Sequence, residues 1–158
     1  MKSVPELVEG GAVDLPAVMA VMNESFDPRY GERWTFAQCA GLLPMPGVWL
    51  TLARVGDAVC GFALARIVAD EAELLLLAVR KDAQRHGIGR RLLDAFLSGA
   101  RLRGAEHFHL EVRDGNPAIH LYESAGFTLA GRRRDYYSGD AGRTFDALTL
   151  AKFEPPRR

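Results

Sequence analysis

Gln84-Arg85-His86-Gly87-Ile88-Gly89 decides the reading of this chain. The stretch follows an apolar run, residues 74–79, and opens an amphipathic segment, residues 88–102. A strand that passes through a glycine-bearing turn into a helix makes an anion cradle. The first N–H groups of a helix have no partner inside it, and they sit at the positive end of its dipole. Gly87 and Gly89 lack the Cβ atoms that would hold a phosphate off that backbone. Two phosphate motifs are excluded. A Walker A loop needs Gly-Lys-Ser/Thr, which is absent, and a dinucleotide fingerprint needs a third glycine where Leu92 stands.

Working outward, residues 4–8 read as a first strand ended by Gly10-Gly11, and Asp14 as the cap of a helix reaching Ser25. Val18, Val21 and Met22 share one face of that helix. Residues 26–34 form a polar, aromatic loop, and a short helix covers 36–43 before Pro44 and Pro46 stop it. Strands follow at 49–55, 58–68 and 72–79. The apolar residues of the last are continuous, which predicts a central strand covered on both faces.

The helix after the glycine turn places Ile88, Leu92, Leu93, Phe96, Leu97 and Ala100 at helical spacing and ends at Gly104. Residues 107–113 alternate strictly, with Phe108, Leu110 and Val112 on one face and His107, His109, Glu111 and Arg113 on the other. Asn116 then caps a helix with Pro117 at its first position, closed by Gly126. Residues 127–132 and 144–153 read as a closing antiparallel pair, and 154–158 as a frayed tail. The β–α–β unit from 74 to 112 predicts an α/β fold: a mixed sheet with helices on both faces.

Composition bounds the function. At 158 residues the chain reads as one domain, 1–158, able to bury a full core. Net charge is zero, which argues against a general nucleic-acid binder. Cys39 and Cys60 are too few for a disulfide framework and lack metal-ligand spacing, as do His107, His109 and His120. A reducing cytoplasm fits. No run reaches membrane-spanning length and the first ten residues hold no leader-like apolar stretch, so no membrane partner is expected.

The loop at 84–89 resembles the acetyl-CoA pyrophosphate loop of the GNAT superfamily of N-acetyltransferases, Gln/Arg-x-x-Gly-x-Gly/Ala. A second match is Asn116 through Phe127, NPAIHLYESAGF, preceded by Glu111-Val112-Arg113. Asp70-Glu71-Ala72-Glu73, Arg133-Arg134-Asp135-Tyr136-Tyr137 and Asp146-Ala147-Leu148 are similar to signatures of the ribosomal-protein alanine N-acetyltransferase branch. The resemblance covers about residues 69–151, with a cofactor core at about 69–127. It implies a mostly antiparallel sheet around a parallel acetyl-CoA-binding core, no metal, and a monomer or homodimer.

Acetyl transfer to an amine builds negative charge on the acyl oxygen, removes a proton from the amine and releases a thiolate. By resemblance Glu111 is the general base and Tyr122 the general acid toward the CoA sulfur. Backbone groups of Leu77, Ala78 and Val79 hold the acetyl and pantetheine arm, and Asn116 hydrogen-bonds it. Gln84, Arg85, His86, Gly87, Ile88, Gly89 and Arg90 cradle the pyrophosphate. The implied acceptor is a protein N-terminal α-amine.

On the residues alone, plainer readings stand beside these. Glu111 as a solvated strand residue, Tyr122 as a core aromatic, Asn116 as only a cap and Arg90 as a solvated helix face all fit. Tyr30 and Trp34 suit an acceptor groove, and Trp34 equally suits packing. An open groove would take a peptide, a closed acidic pocket a cationic small amine. A CoA-binding sensor without catalysis is the third possibility. One residue fewer separates Glu111 from Tyr122 than in the branch pattern. Absorbed inside the helix, that would turn Tyr122 by up to about 100°; absorbed in the loop, it changes nothing.

Overall fold

The computed structural model describes residues 4–155. Seven strands form one sheet in the order β1-β2-β3-β4-β5-β7-β6. They are β1 (Glu6–Gly10), β2 (Val48–Val55), β3 (Ala58–Val68), β4 (Glu71–Val79), β5 (His107–Arg113), β6 (Thr128–Ser138) and β7 (Thr144–Phe153). Only β4 and β5 pair in parallel. Helices α1 (Leu15–Ser25), α2 (Phe36–Leu42), α3 (Ile88–Leu102) and α4 (Ile119–Ser124) complete the α/β fold.

The two faces of the sheet carry separate cores. On one, α3 buries the six residues its periodicity marked, against Trp49, Phe108, Leu110 and Val112. Phe96 stacks on Trp49 at 6.1 Å and meets Phe108 edge-on at 6.3 Å. On the other, Leu15, Val18, Val21 and Met22 of α1 pack on Leu50, Leu52, Phe62 and Leu64. β4 serves both. The register jumps from Leu64↔Leu76 to Ala65↔Leu74, so Leu75 is one extra residue in the strand. This bulge reverses the alternation: Ala72 and Leu74 enter the α3 core, while Leu76 and Ala78 enter the α1 core.

Beyond Leu74↔Leu110, β4 and β5 no longer pair. β4 continues on β3 and β5 on β7, and the sheet opens into a V. The bulge and the opening coincide, because a bulged strand bends and twists away from its neighbour.

Several boundaries differ from expectation. β1 covers 6–10 and not 4–8, with Gly10 its last residue; a Cβ there would sit 2.8 Å from Leu50 and Leu52, so glycine permits the close approach. Asp14 does not cap α1 through its side chain, which accepts from Gly11 N–H at 2.8 Å and closes a preceding 3-10 turn. α4 starts at Ile119, after a hydrogen-bonded turn through Asn116. β6 extends to Ser138, because a second bulge carries it past its arginine run. Glu154 is not frayed: its N–H donates to Glu106 O at 2.8 Å and its carboxylate takes Arg101 at 2.7 Å. The rest of the expected tail, 156–158, lies outside the described residues, as do residues 1–3.

Candidate active site

The glycine-bearing turn leads from β4 into α3. Residue 81 opens a 3-10 turn after β4, and Gly87 enters α3 at φ +77, a left-handed value that glycine adopts at little cost. Arg85, at φ +65, holds the left-handed region without that freedom. The first helical bond is Arg91 N–H to Gly87 O at 3.1 Å. The N–H groups of Ile88, Gly89 and Arg90 therefore have no intrahelical acceptor. A Cβ on Gly87 would meet nothing within 4 Å, and one on Gly89 would only touch Leu121 at 3.5 Å. Gly87 is thus required for its backbone angle, whereas alanine fits at Gly89. Gln84 folds back, its amide donating to Val79 O at 2.9 Å, where Ser25 Oγ also donates at 2.8 Å.

Below the cradle lies a cleft of about 630 Å³ in the V between β4 and β5. It brings together Leu77, Ala78, Val79, Gln84, Arg85, Gly89, Glu111, Asn116 and Tyr122. His86, Gly87, Ile88 and Arg90 are not in its lining; they sit in the cradle turn and the first turn of α3. Ile88 is buried, so only its N–H can serve an anion there. Arg90 holds Asp94 at 3.0 Å, one turn on, and Ser124 Oγ at 3.2 Å.

Glu111 points from the polar face of β5 into the cleft, with 11% of its side chain exposed. One carboxylate oxygen accepts from Thr149 Oγ1 at 2.7 Å, and the other takes Arg133 Nε at 3.0 Å. Tyr122 lines the same cleft from α4. Between Glu111 and Tyr122 the chain passes through a turn where Gly115 takes φ +90, and α4 begins at Ile119. Burial pushes the Tyr122 phenol above its usual range, and the Glu32 charge adds to this. Tyr137 is raised for the same two reasons, in the same order.

Glu32 is the residue that sequence reasoning missed. It sits on the loop after α1 with 9% of its side chain exposed, rare for a carboxylate. Its oxygens accept from Arg113 Nε at 3.2 Å and Asn116 Nδ2 at 2.9 Å. Asn116 Oδ1 accepts from Ala118 N–H at 2.9 Å, so the side chain caps α4 and carries Glu32 as well. The Arg113 guanidinium stacks on Tyr30 at 3.7 Å. Tyr30 in turn packs edge-on against Phe145 of β7 at 5.2 Å. No local signal marks Glu32, because its partners lie 81 and 84 positions away.

The same loop meets the β6–β7 hairpin backbone to backbone. A Cβ on Gly31 would fall 2.1 Å from Ser138 O, and one on Gly139 would fall 1.8 Å from Arg29 O. Tyr30 and Trp34 both line the cleft, and Trp34 also packs on the α1 core. At the opposite end of the β4–β5 pair, Asp70, Glu106 and His107 bring ligand atoms within 4.8 Å of one another. Sequence spacing had not suggested that group, because two distant segments supply it, Asp70 from the β3–β4 turn and the adjacent Glu106 and His107 from the start of β5. Cys39 and Cys60 are free and buried, and among the described residues no helix is long and apolar enough to cross a membrane.

An anion cradle at the head of α3, a splayed β4–β5 pair and a carboxylate and phenol between them define a class, and the chain belongs to the acetyltransferase (GNAT) family, whose model matches residues 15–127. Within that family it is similar to the [ribosomal protein bS18]-alanine N-acetyltransferase of Escherichia coli K12. The two are 46% identical over 91 residues, 57% of this chain and 61% of the relative. It is 41% identical over 105 residues, 63% of each chain, to the N-alpha-acetyltransferase RimI of Mycobacterium tuberculosis. The chain thus spans about three-fifths of the length of these curated relatives. The crystal structure of the ribosomal-protein-S18-alanine N-acetyltransferase from Escherichia coli superposes with a TM-score of 0.85 at 30% identity, covering 98% of this chain and 96% of that one.

Proposed function

We propose that this protein is an acetyl-CoA-dependent N-acetyltransferase whose acceptor is a protein N-terminal α-amine, alanine of a ribosomal protein such as bS18. The observation that carries the reading is the continuity of the cleft, from the free N–H groups of α3 to Glu111 and Tyr122. The residues present fit the cosubstrate: the cradle offers unpaired donors to a diphosphate, and the opened edge of β4 offers backbone groups to an amide-bearing arm. Acetyl-CoA supplies the acetyl group as an activated thioester.

Glu111 takes the proton from the attacking amine. An α-amine, with a reference pKa of about 7.7–8.0 against about 10.4 for lysine, needs only a modest base. Thr149 and Arg133 hold the carboxylate in one orientation. Tyr122 keeps its proton at neutral pH and acts as the acid toward the departing sulfur. Its phenol is a weaker acid than a thiol, so its help is a strong hydrogen bond to the developing thiolate. Asn116 presents its second amide proton to the arm while Glu32 holds the first.

Every carboxylate lining the cleft has a cation at hand: Asp27 with Arg29, Glu32 with Arg113, Glu73 with Arg66 and Glu111 with Arg133. A pocket for a cationic small amine would keep such charges unspoken for, so this pairing supports the peptide reading. Incubation with acetyl-CoA and peptides differing only in their first residue tests it. Thiol release with an N-terminal alanine peptide is expected; no release with any peptide overturns the acceptor.

A further inference from the structure

β6 breaks its alternation where it borders the cleft. Its pairing with β7 jumps from Arg133↔Ala147 to Tyr137↔Phe145, so Arg134, Asp135 and Tyr136 together face the single residue Asp146. Asp135 sits at φ +51, a left-handed value that is strained for a residue with a Cβ. The result is that two adjacent residues, Tyr136 and Tyr137, both line the cleft, which a regular strand forbids. Their rings meet edge-on at 5.0 Å. Just before the bulge, Arg133 reaches Glu111.

One side chain fastens this arrangement. Asp146 Oδ1 accepts from the Asp135 N–H at 3.0 Å, and Oδ2 accepts from Arg132 Nη1 at 2.9 Å. The same Arg132 nitrogen donates to Asp114 Oδ2 at 2.7 Å, in the turn that leads to α4. Thr144 Oγ1 donates to Asp135 Oδ1 at 2.7 Å and closes the bulge from the other side. The Asp135 N–H and Arg132 hold the Asp146 carboxyl below its usual range, in that order of effect.

We propose that Asp146 is a positioning residue for acceptor recognition. It clamps the three-residue bulge of β6 so that Arg133, Tyr136 and Tyr137 face the acceptor side of the cleft together. It acts on the acceptor and not on acetyl-CoA, because among the described residues no hydrogen bond or ion pair joins the cradle at α3 to the bulge. The proposal rests on the acceptor reading given above.

Asp146→Ala, Asp146→Asn and the double variant Asp146→Ala with Asp135→Gly test it. Asp146→Ala raises the KM for the peptide acceptor about tenfold and leaves the KM for acetyl-CoA within about twofold. Asp146→Asn still accepts from the Asp135 N–H and stays within about threefold of the parent. The double variant recovers part of the loss, because glycine takes a positive φ without the steric penalty. Amide exchange at Asp135, read without any substrate, quickens in Asp146→Ala and not in Asp146→Asn. An unchanged acceptor KM in Asp146→Ala, or equal rises in both KM values, overturns the proposal. Should the unmodified protein transfer to no peptide, the acceptor reading fails, and unchanged exchange at Asp135 then refutes the clamp separately. Should Asp146→Ala not fold, Asp146→Ser decides through the same exchange rate: its shorter side chain cannot hold the Asp135 N–H, so quickened exchange supports the clamp and parent-like exchange overturns it.

Discussion

Glu32 and Asn116, 84 positions apart, meet at 2.9 Å and join the two walls of the cleft. One belongs to the loop after α1, on the acceptor side. The other caps the helix that carries Tyr122. Glu32 and the cap of α4 are therefore held as one unit.

Replacing Glu32 tests that unit. Glu32→Ala leaves the buried Arg113 without its carboxylate, and a loss of about 3 kcal/mol in stability is expected by urea unfolding. Glu32→Gln keeps the size and removes the charge. Its effect on kcat should be smaller in a Tyr122→Phe background than alone, since the two residues act together; additive losses would separate them.

Tyr122→Phe should lower kcat by about 10²-fold with little change in acetyl-CoA affinity, measured by steady-state kinetics and calorimetry. The alkaline behaviour has a defined sign. The folded protein holds the Tyr122 proton more tightly than the unfolded chain, where tyrosine titrates near about 10. The associated stability is present below that pH and is lost as pH rises through the folded value. Thermal melts from neutral to strongly alkaline pH should fall less steeply for Tyr122→Phe than for the parent.

Gly87→Ala places a Cβ in open space but at φ +77. A stability loss of about 1 kcal/mol is expected. The KM for acetyl-CoA should rise about tenfold, because shifting this residue displaces the donors at the head of α3. A normal KM with the same stability loss would remove the cradle from the cofactor's site.

Gly31→Ala sets a Cβ 2.1 Å from Ser138 O, against backbone that cannot step aside. Loop and hairpin must part. Peptide KM should rise while acetyl-CoA binding, followed by calorimetry, stays unchanged. The Gly139→Ala variant should behave alike.

Much of this was legible in the sequence, and the remainder has physical reasons for being silent. β3 and β7 kept the boundaries that their turn residues announced, and α3 buried the six residues its period selected. The β4 bulge was invisible because Leu74, Leu75, Leu76 and Leu77 are identical, so an inserted residue leaves no mark on the pattern. β6 seemed to stop at Arg132 because three arginines and an aspartate carry no alternation, and the clamp that continues the strand lies on β7. Glu111, Tyr122 and Asn116 could be named from motif residues, and the fold places all three on one cleft. Glu32 belongs to no motif; its meaning comes from partners reached only on folding.

The extra leucine at position 75 has a consequence for how this molecule can change. Downstream of it, inside and outside are exchanged along the central strand, so deleting it would send Leu76 and Ala78 into the wrong layer. The opening where substrates meet is therefore written into the count of residues and not into their kind. Point mutations leave that count unchanged, whereas an insertion or deletion in this strand alters it.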